Sequence, residues 1–178
     1  MNVVSRGENG NFAPFNLTQT PKFNKKTDKV QLAISTFKIA NNYFEAAQIL
    51  LKQIHLMPVV LTNISFACEL YLKALLHGYN VDFGNTHGLK DLFVKLPEDI
   101  KNYISQNIAI DNRDTEFELC LTEQNDAFII YRYMNEVKTI TANPYFLFAF
   151  AHILKFVYES LIEEYSKTKE QEVAYEQI

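Results

Sequence analysis

Apolar residues recur at spacings of three and four along most of this chain, which is the period of an α-helix rather than of a β-strand. From Thr27 to Met57 no glycine or proline interrupts the pattern. Its apolar positions are Val30, Ile34, Phe37, Ala40, Phe44, Ala47, Leu51 and Ile54. Thr27 or Asp28 can cap such a helix. The segment is predicted to be one long amphipathic helix with a single buried stripe.

The next segment is apolar over most of its circumference. It begins at Pro58, which suits the first turn of a helix because its missing N–H is not needed there, and continues to Gly78. A helix that is apolar nearly all round belongs in the middle of a bundle or at a subunit contact. We therefore expect this segment to be the central helix.

Further helices are predicted after a loop that contains Gly78 and Gly84. They cover His87 to Leu96 with Asn85 or Thr86 as the cap, a short helix opened by Pro97, Asp114 to about Glu136, and Tyr145 to about Tyr165 with Asn143 as the cap. The pattern predicts an all-α protein.

Composition divides the chain into three parts. Residues 1–26 are rich in Asn, Thr, Lys and Gly and are expected to form an extended arm, which Phe12, Phe15 and Phe23 can pin to the body. Residues 27–165 form the predicted bundle, and residues 166–178 are a charged helix end or tail. His152, Lys155 and Glu159 interrupt the last apolar run before the roughly 20 residues that a membrane span needs, so no membrane contact is expected.

Charge and cysteine usage narrow the setting. The 178 residues include 17 basic and 21 acidic side chains, a net charge of −4, which gives no overall attraction to nucleic acid. Any contact with nucleic acid therefore needs a local patch. Cys68 and Cys120 lie inside apolar runs, where a free thiol behaves as a small apolar group, and the first residues lack the apolar core of a signal peptide. A reducing, cytoplasmic location is expected.

One set of polar residues follows the otherwise apolar second helix at steps of four: Ser65, Glu69, Lys73 and His77. The spacing places them on one slowly drifting stripe, and Glu69 before Lys73 is the favourable order for an ion pair. Two interpretations stay open. The stripe is either the solvent-facing strip of the helix, which is the commoner situation for charges, or the lining of a polar groove.

A second set is Asn125 with Arg132, which share a helix face because they are seven residues apart. Apolar neighbours such as Phe128 and Ile129 predict that Arg132 is partly buried. A buried guanidinium needs a carboxylate or phosphate partner. Arg132 is therefore expected either to pair with an internal carboxylate such as Glu69 or to form an anion site for a phosphate or nucleotide.

His87 and Asp91 stand four residues apart, at a spacing that metal ligands also use. Two candidate ligands without a third are a weak signal. A hydrogen-bonding role for His87 is the favoured interpretation, His55 and His152 are expected to be ordinary surface or interface residues, and no metal and no cofactor are expected.

Three blocks carry a resemblance to a known family. They are Ser65 to Leu76, Thr86 to Pro97, and Asn125 to Phe128 with Arg132 and Tyr133, and in this order and spacing they resemble the HEPN superfamily of prokaryotic helical domains. The resemblance implies an up-and-down, HEPN-like bundle of four to five main helices that usually forms a homodimer. Such domains often occur beside a nucleotidyltransferase or within toxin–antitoxin and phage-defence systems. It also implies that many relatives are metal-independent ribonucleases whose active site is an arginine followed four to six residues later by a histidine.

This chain departs from that pattern, because residues 133–139 after Arg132 contain no histidine. The departure favours a homodimeric binding or assembly module over an enzyme, with an antitoxin or nucleotidyltransferase as a protein partner and RNA or a nucleotide as a ligand. The predicted phosphate or polar groove consists of Glu69, Lys73, Asn125, Asp126, Arg132 and Tyr133, with His87 beside it. Two alternatives remain: a ribonuclease in which Arg132 holds the phosphate and His87 transfers the proton, and a purely structural bundle that holds a protein partner.

Overall fold

The computed structural model describes residues 23, 29–108, 117–136 and 141–176, with side chains as far as residue 167. Seven α-helices occur within these ranges: α1 (Lys29–Leu50), α2 (Met57–Gly78), α3 (Leu89–Phe93), α4 (Glu98–Asn107), α5 (Phe117–Glu123), α6 (Ala127–Arg132) and α7 (Pro144–Glu176). Short 3₁₀ turns cover Ile54–Leu56 and Met134–Glu136. The described part of the chain has no strand, and the prediction of an all-α fold is confirmed.

The helices α1 and α2 form an antiparallel pair. Phe37 meets Tyr71 with ring centroids 5.5 Å apart, whereas Tyr43, later in α1, meets Phe66, earlier in α2, at 4.7 Å. Ring contacts that run in opposite chain directions define the antiparallel arrangement. The pair presents the apolar stripe of α1 to the nearly all-apolar α2, as the sequence pattern predicts.

The long helix α7 completes the core. It also runs antiparallel to α1, because Phe37 stacks on Tyr158 at 4.1 Å while Phe44 meets His152 at 4.9 Å. On its other side, α7 lies against α2. α2 contacts α1, α3, α6 and α7 and is the central helix, as predicted.

The end of α2 is set by Asn80 rather than by Gly78. Asn80 takes a left-handed conformation with φ of 57°, and the N–H of Val81 donates to the carbonyl of Leu76 at 2.9 Å, which is a Schellman-type helix end. Gly78 serves packing instead. A Cβ built there falls 2.4 Å from the ring of Phe23, so glycine makes room for this aromatic side chain. Phe23 is 2% exposed and its ring contacts Tyr79 and Tyr158. Phe12, Phe15 and the rest of the predicted arm lie outside the described residues, so the arm stays a prediction.

Two predicted helices are broken in the structure. The first ends at Leu50 rather than Met57, because Pro58 fits only in a first helical turn and a new helix must start just before it. The predicted helix from Asp114 to Glu136 is divided into α5 and α6 between Glu123 and Ala127. In that gap the N–H of Asn125 donates to the carbonyl of Thr122 and the N–H of Ala127 to that of Gln124, which are bonds of a tight turn rather than of an α-helix.

Two other boundaries differ. The short helix predicted from His87 begins at Leu89. The side chain of His87 instead contacts Glu69 of α2, as described below. The last helix starts at Pro144, with Asn143 Oδ1 accepting from the N–H of Phe146 at 3.0 Å, as predicted. It continues through Glu176, so most of the predicted charged end is helical.

Two helical stretches, Ile54–Gly78 and Pro144–Lys167, are long and apolar enough to cross a membrane by length and composition alone. In their most apolar windows, 67% and 61% of the residues are buried inside the bundle, because these stretches supply its core. Their burial within the protein accounts for their apolar character. The absence of membrane contact stays a prediction.

Candidate functional site

The polar stripe on α2 points inward. Ser65 and Glu69 are buried, with Glu69 only 1% exposed, and Lys73 is half-buried. The interpretation of this stripe as a solvent-facing strip is therefore wrong. It fails because α2 is surrounded by other elements, so even its polar side meets protein. Of the two interpretations, a polar lining fits the structure.

Glu69 is the centre of a three-residue group. Its Oε1 accepts from Lys73 Nζ at 2.7 Å and lies 2.8 Å from His87 Nδ1. The contact with Lys73 is the predicted ion pair, one helical turn along α2, whereas His87 approaches from the loop before α3. We call Glu69, Lys73 and His87 the buried-carboxylate group. A buried ionised carboxylate is costly unless charged or polar partners compensate it. Lys73 and His87 do so at Oε1, whereas Glu69 Oε2 is buried without a hydrogen-bond partner among the described residues.

The arrangement orients the imidazole. An ionised carboxylate can only accept, which assigns the proton of this contact to His87 Nδ1. In a neutral imidazole of that tautomer, Nε2 is an acceptor. The His87 side chain is 52% exposed although its partner is buried. A histidine held by a carboxylate through one nitrogen, with an accessible ring, is arranged as a general base.

Aromatic rings that the sequence analysis missed flank this group. Lys73 Nζ lies 5.6 Å from the ring centroid of Phe83, and His77 meets the same ring edge to face at 4.9 Å. Phe83 belongs to the irregular loop between α2 and α3, where no helical period marks it. Its proximity to a lysine depends on the path of the loop, which the pattern of apolar residues does not encode.

Asn125 and Asp126 lie between α5 and α6, and Asn125 contacts the segment that carries His87. Asn125 Oδ1 accepts from the N–H of Lys90 at 2.9 Å, and its Nδ2 donates to Asp91 and to Asp126. The amide is thus engaged by protein groups and flanked by two carboxylates. The two carboxylates disfavour an anion beside Asn125, and the placing of Asn125 and Asp126 in a phosphate or polar groove stays a prediction.

Arg132 is exposed, and the predicted partial burial is wrong. Its Nη2 donates to the hydroxyl of Tyr133 at 2.9 Å, and its Cζ lies 4.7 Å from the Tyr133 ring and 5.2 Å from the Phe128 ring. Among the described residues no carboxylate pairs with Arg132, so the predicted ion pair with Glu69 is wrong as well. α6 is short and presents its last turn to solvent, so apolar neighbours in sequence do not bury this side chain.

The structure therefore divides the predicted groove into two places. The buried-carboxylate group forms one, and Arg132 with Tyr133 forms an exposed surface at the end of α6, which we call the α6 surface. They are connected through packing, because Phe128 beneath Arg132 stacks on Phe66 of α2 with centroids 4.3 Å apart. Phe66 lies one turn before Glu69 on α2 and is a second residue that the sequence analysis did not single out.

Two further histidines of the described residues have shifted pKa values. Burial lowers the pKa of His77 and of His152, and nearby lysines add to both shifts. The described residues contain no group of three or more side chains suited to hold a metal. His87 and Asp91, the pair at metal-like spacing, instead contact Glu69 and Asn125 respectively.

The described residues thus form an all-α bundle in which a buried carboxylate contacts an accessible histidine. The model of the HEPN domain matches residues 35–143, which include every site residue described above. This match covers more than half of the chain, and the protein belongs to the HEPN domain family. No curated protein and no solved structure matches the chain.

Proposed function

We propose that this HEPN domain is a homodimeric binding module that contacts a phosphate group of RNA or of a nucleotide through Arg132. The observation that carries the proposal is the α6 surface. Arg132 is exposed, lacks a carboxylate partner among the described residues, and rests against two aromatic rings. One guanidinium donor is used by Tyr133, so the others can meet phosphate oxygens.

Charge supports a local rather than a general contact. The net charge of −4 opposes diffuse attraction to RNA, so binding depends on the few cations placed at the contact. The family membership fits a cytoplasmic role in a defence or toxin–antitoxin system, with an antitoxin or a nucleotidyltransferase as the protein partner.

Binding is tested by fluorescence anisotropy with labelled RNA over a range of salt concentrations. For Arg132→Ala we expect affinity to fall about tenfold and the salt slope to decrease by about one. Lys52→Ala is the matched control, since it removes an exposed positive charge between α1 and α2. Equal affinities for wild type and Arg132→Ala, or an equal loss in both variants, contradict the proposal.

A homodimer is supported by apolar side chains on the outer face of α1. Leu32 and Ile39, seven residues apart and therefore on one face of α1, are 47% and 48% exposed, and Ile49, about a quarter turn further round, is 64% exposed. Ile39→Asp is expected to convert a dimer to a monomer in light scattering, while Val94→Asp, at an exposed position on another segment, leaves it dimeric. A monomeric wild type contradicts this part of the proposal.

The buried-carboxylate group favours a second candidate, a metal-independent ribonuclease. In that reaction His87 Nε2 accepts the proton of a ribose 2′-hydroxyl, the 2′-oxygen bonds to phosphorus, and the 5′-oxygen leaves with a proton from solvent. The 2.8 Å contact between His87 and Glu69 supports it. Cleavage of labelled RNA in EDTA that His87→Ala abolishes establishes this candidate, and its absence leaves the binding module.

A further inference from the structure

Asn125 uses every hydrogen-bonding position of its side chain. Oδ1 accepts from the backbone N–H groups of Lys90 and Asp91 at 2.9 and 3.3 Å. Nδ2 donates to Asp91 Oδ2 at 3.2 Å and to Asp126 Oδ1 at 3.3 Å. The backbone carbonyl of Asn125 also accepts from the N–H of Leu89 at 2.8 Å. Asn125 thus caps the N-terminus of α3 from 35 residues away, at Lys90.

Gly88 makes this approach possible. A Cβ built at Gly88 falls 2.6 Å from Asn125 Oδ1 and 2.4 Å from Asp91 Oδ2, so a side chain there collides with the amide. The backbone φ of Gly88 is −64°, which any residue adopts, and glycine is therefore needed for space rather than for conformation. Gly88, the residue next to His87, therefore packs directly against the Asn125 side chain.

The turn from Gly88 to Asp91 and the short helix α3 are not stable without contacts to the rest of the protein. α3 has only five residues, too few for a helix to be stable without tertiary contacts. His87 lies one residue before Gly88 and is 52% exposed, so few packing contacts fix its ring. The direction of the imidazole depends on where the backbone of this turn is held.

We propose that Asn125 is the positioning residue for His87. By fixing the turn from Gly88 to Asp91, it keeps the imidazole on Glu69. Because Asn125 also comes two residues before α6, it sets His87 at a constant position relative to the helix that carries Arg132. The functional importance of this coupling rests on the proposed function, whereas the positioning of His87 is testable without RNA.

The test follows the ring nitrogens of His87 by ¹⁵N NMR in histidine-labelled protein, with His87→Gln identifying the signal. In wild type we expect one fixed tautomer with the proton on Nδ1. In Asn125→Ala the ring is expected to sample both tautomers while the signal of His152 stays unchanged. An unaltered His87 signal in folded Asn125→Ala overturns the proposal and leaves Asn125 a purely structural residue.

Exchanging the side chains at positions 125 and 91 distinguishes the contact with Asp91 from the contacts with the backbone. It also keeps the proposal testable if Asn125→Ala does not fold. Asn125→Asp keeps the acceptor for the two backbone N–H groups but faces the carboxylate of Asp91, so it is expected to disturb His87. Combining Asn125→Asp with Asp91→Asn restores the donor–acceptor pair with position 91, while Asp126 still faces the new carboxylate, and is expected to restore the His87 signal in part. A double variant as disturbed as Asn125→Asp alone contradicts the clamp.

RNA affinity distinguishes this proposal from the proposed function. If Arg132→Ala leaves binding unchanged, the phosphate site fails, while a disturbed His87 in Asn125→Ala still establishes the clamp. If the phosphate site and the positioning of His87 are both correct, Asn125→Ala and Asn125→Asp are expected to weaken RNA binding. Adding Asp91→Asn to Asn125→Asp is then expected to recover part of the affinity.

Discussion

His87 Nδ1 and Glu69 Oε1 meet 2.8 Å apart although 18 residues separate them in the chain. The contact joins a side chain that is half exposed to one that is almost fully buried. It gives the central helix α2 a polar connection to the loop before α3. The buried carboxylate of Glu69 thereby gives the accessible ring of His87 a fixed hydrogen-bond partner.

Replacement of Glu69 by Ala removes the acceptor shared by Lys73 and His87. Because Lys73 is still 15% exposed and can reach water, we expect a loss of about 2 kcal/mol in the free energy of unfolding, less than for a fully buried pair. Glu69→Gln keeps an acceptor oxygen and is expected to cost about half as much. Urea titration measures both. A Glu69→Ala variant as stable as wild type contradicts the compensating role of these contacts.

Stability is expected to fall as the solution is acidified. Burial lowers the pKa of His152 below its ordinary value, so near and below pH 6.5 the unfolded chain binds more protons than the folded one. Acidification from pH 7 to about 5 therefore favours unfolding. His152→Phe can keep the packing against Phe44 and is expected to flatten the pH dependence, whereas the exposed His55→Gln does not. Parallel pH curves for wild type and His152→Phe argue against this origin.

Gly78→Ala is expected to destabilise the bundle through Phe23. The added methyl group overlaps the ring at 2.4 Å, and overpacking of this kind costs about 1 to 3 kcal/mol. In Phe23→Ala the ring is absent, and adding Gly78→Ala to that variant is expected to cost much less. Thermal unfolding of the four proteins gives the coupling energy. Additive effects would show that Gly78 and Phe23 do not press on each other.

Neither cysteine is expected to react with thiol reagents in the folded protein. Burial raises the pKa of Cys68 and of Cys120, and the thiol of Cys68 donates to the carbonyl of Leu147 at 3.3 Å. A buried thiol with little thiolate is a poor nucleophile. Labelling with a disulfide reagent should detect no thiol in buffer and two in denaturant. Rapid labelling in buffer contradicts the packing of these helices.

The long helices were predictable from sequence because their stabilising contacts follow a regular period. α2 is apolar around most of its surface, and this identifies it as central before any neighbour is known. The buried-carboxylate group was predictable in part: the spacing of Glu69 and Lys73 puts them in contact on one helix. The contact with His87 depends on a loop, and loops place side chains by backbone path rather than by period.

Arg132 shows where local sequence misleads. Its apolar neighbours Ile129 and Tyr133 are themselves substantially exposed, so an apolar string at the end of a short helix does not imply burial. Asn125 is the converse case, because its polarity alone does not show which partners its side chain has. Its polarity suggested a ligand contact, yet its amide is fully used within the protein. Whether a polar side chain is available is decided by distant chain segments.

The cap that Asn125 supplies to α3 is a long-range contact, and such contacts are expected to form late in folding. The α1–α2 pair forms from neighbouring segments, whereas the turn at Gly88 closes only after residues more than thirty positions later have arrived. The amide protons of Leu89, Lys90 and Asp91 all depend on that one residue for their acceptor. They should therefore exchange with solvent as a unit, and the histidine is set in place late, when the two halves of the domain have joined.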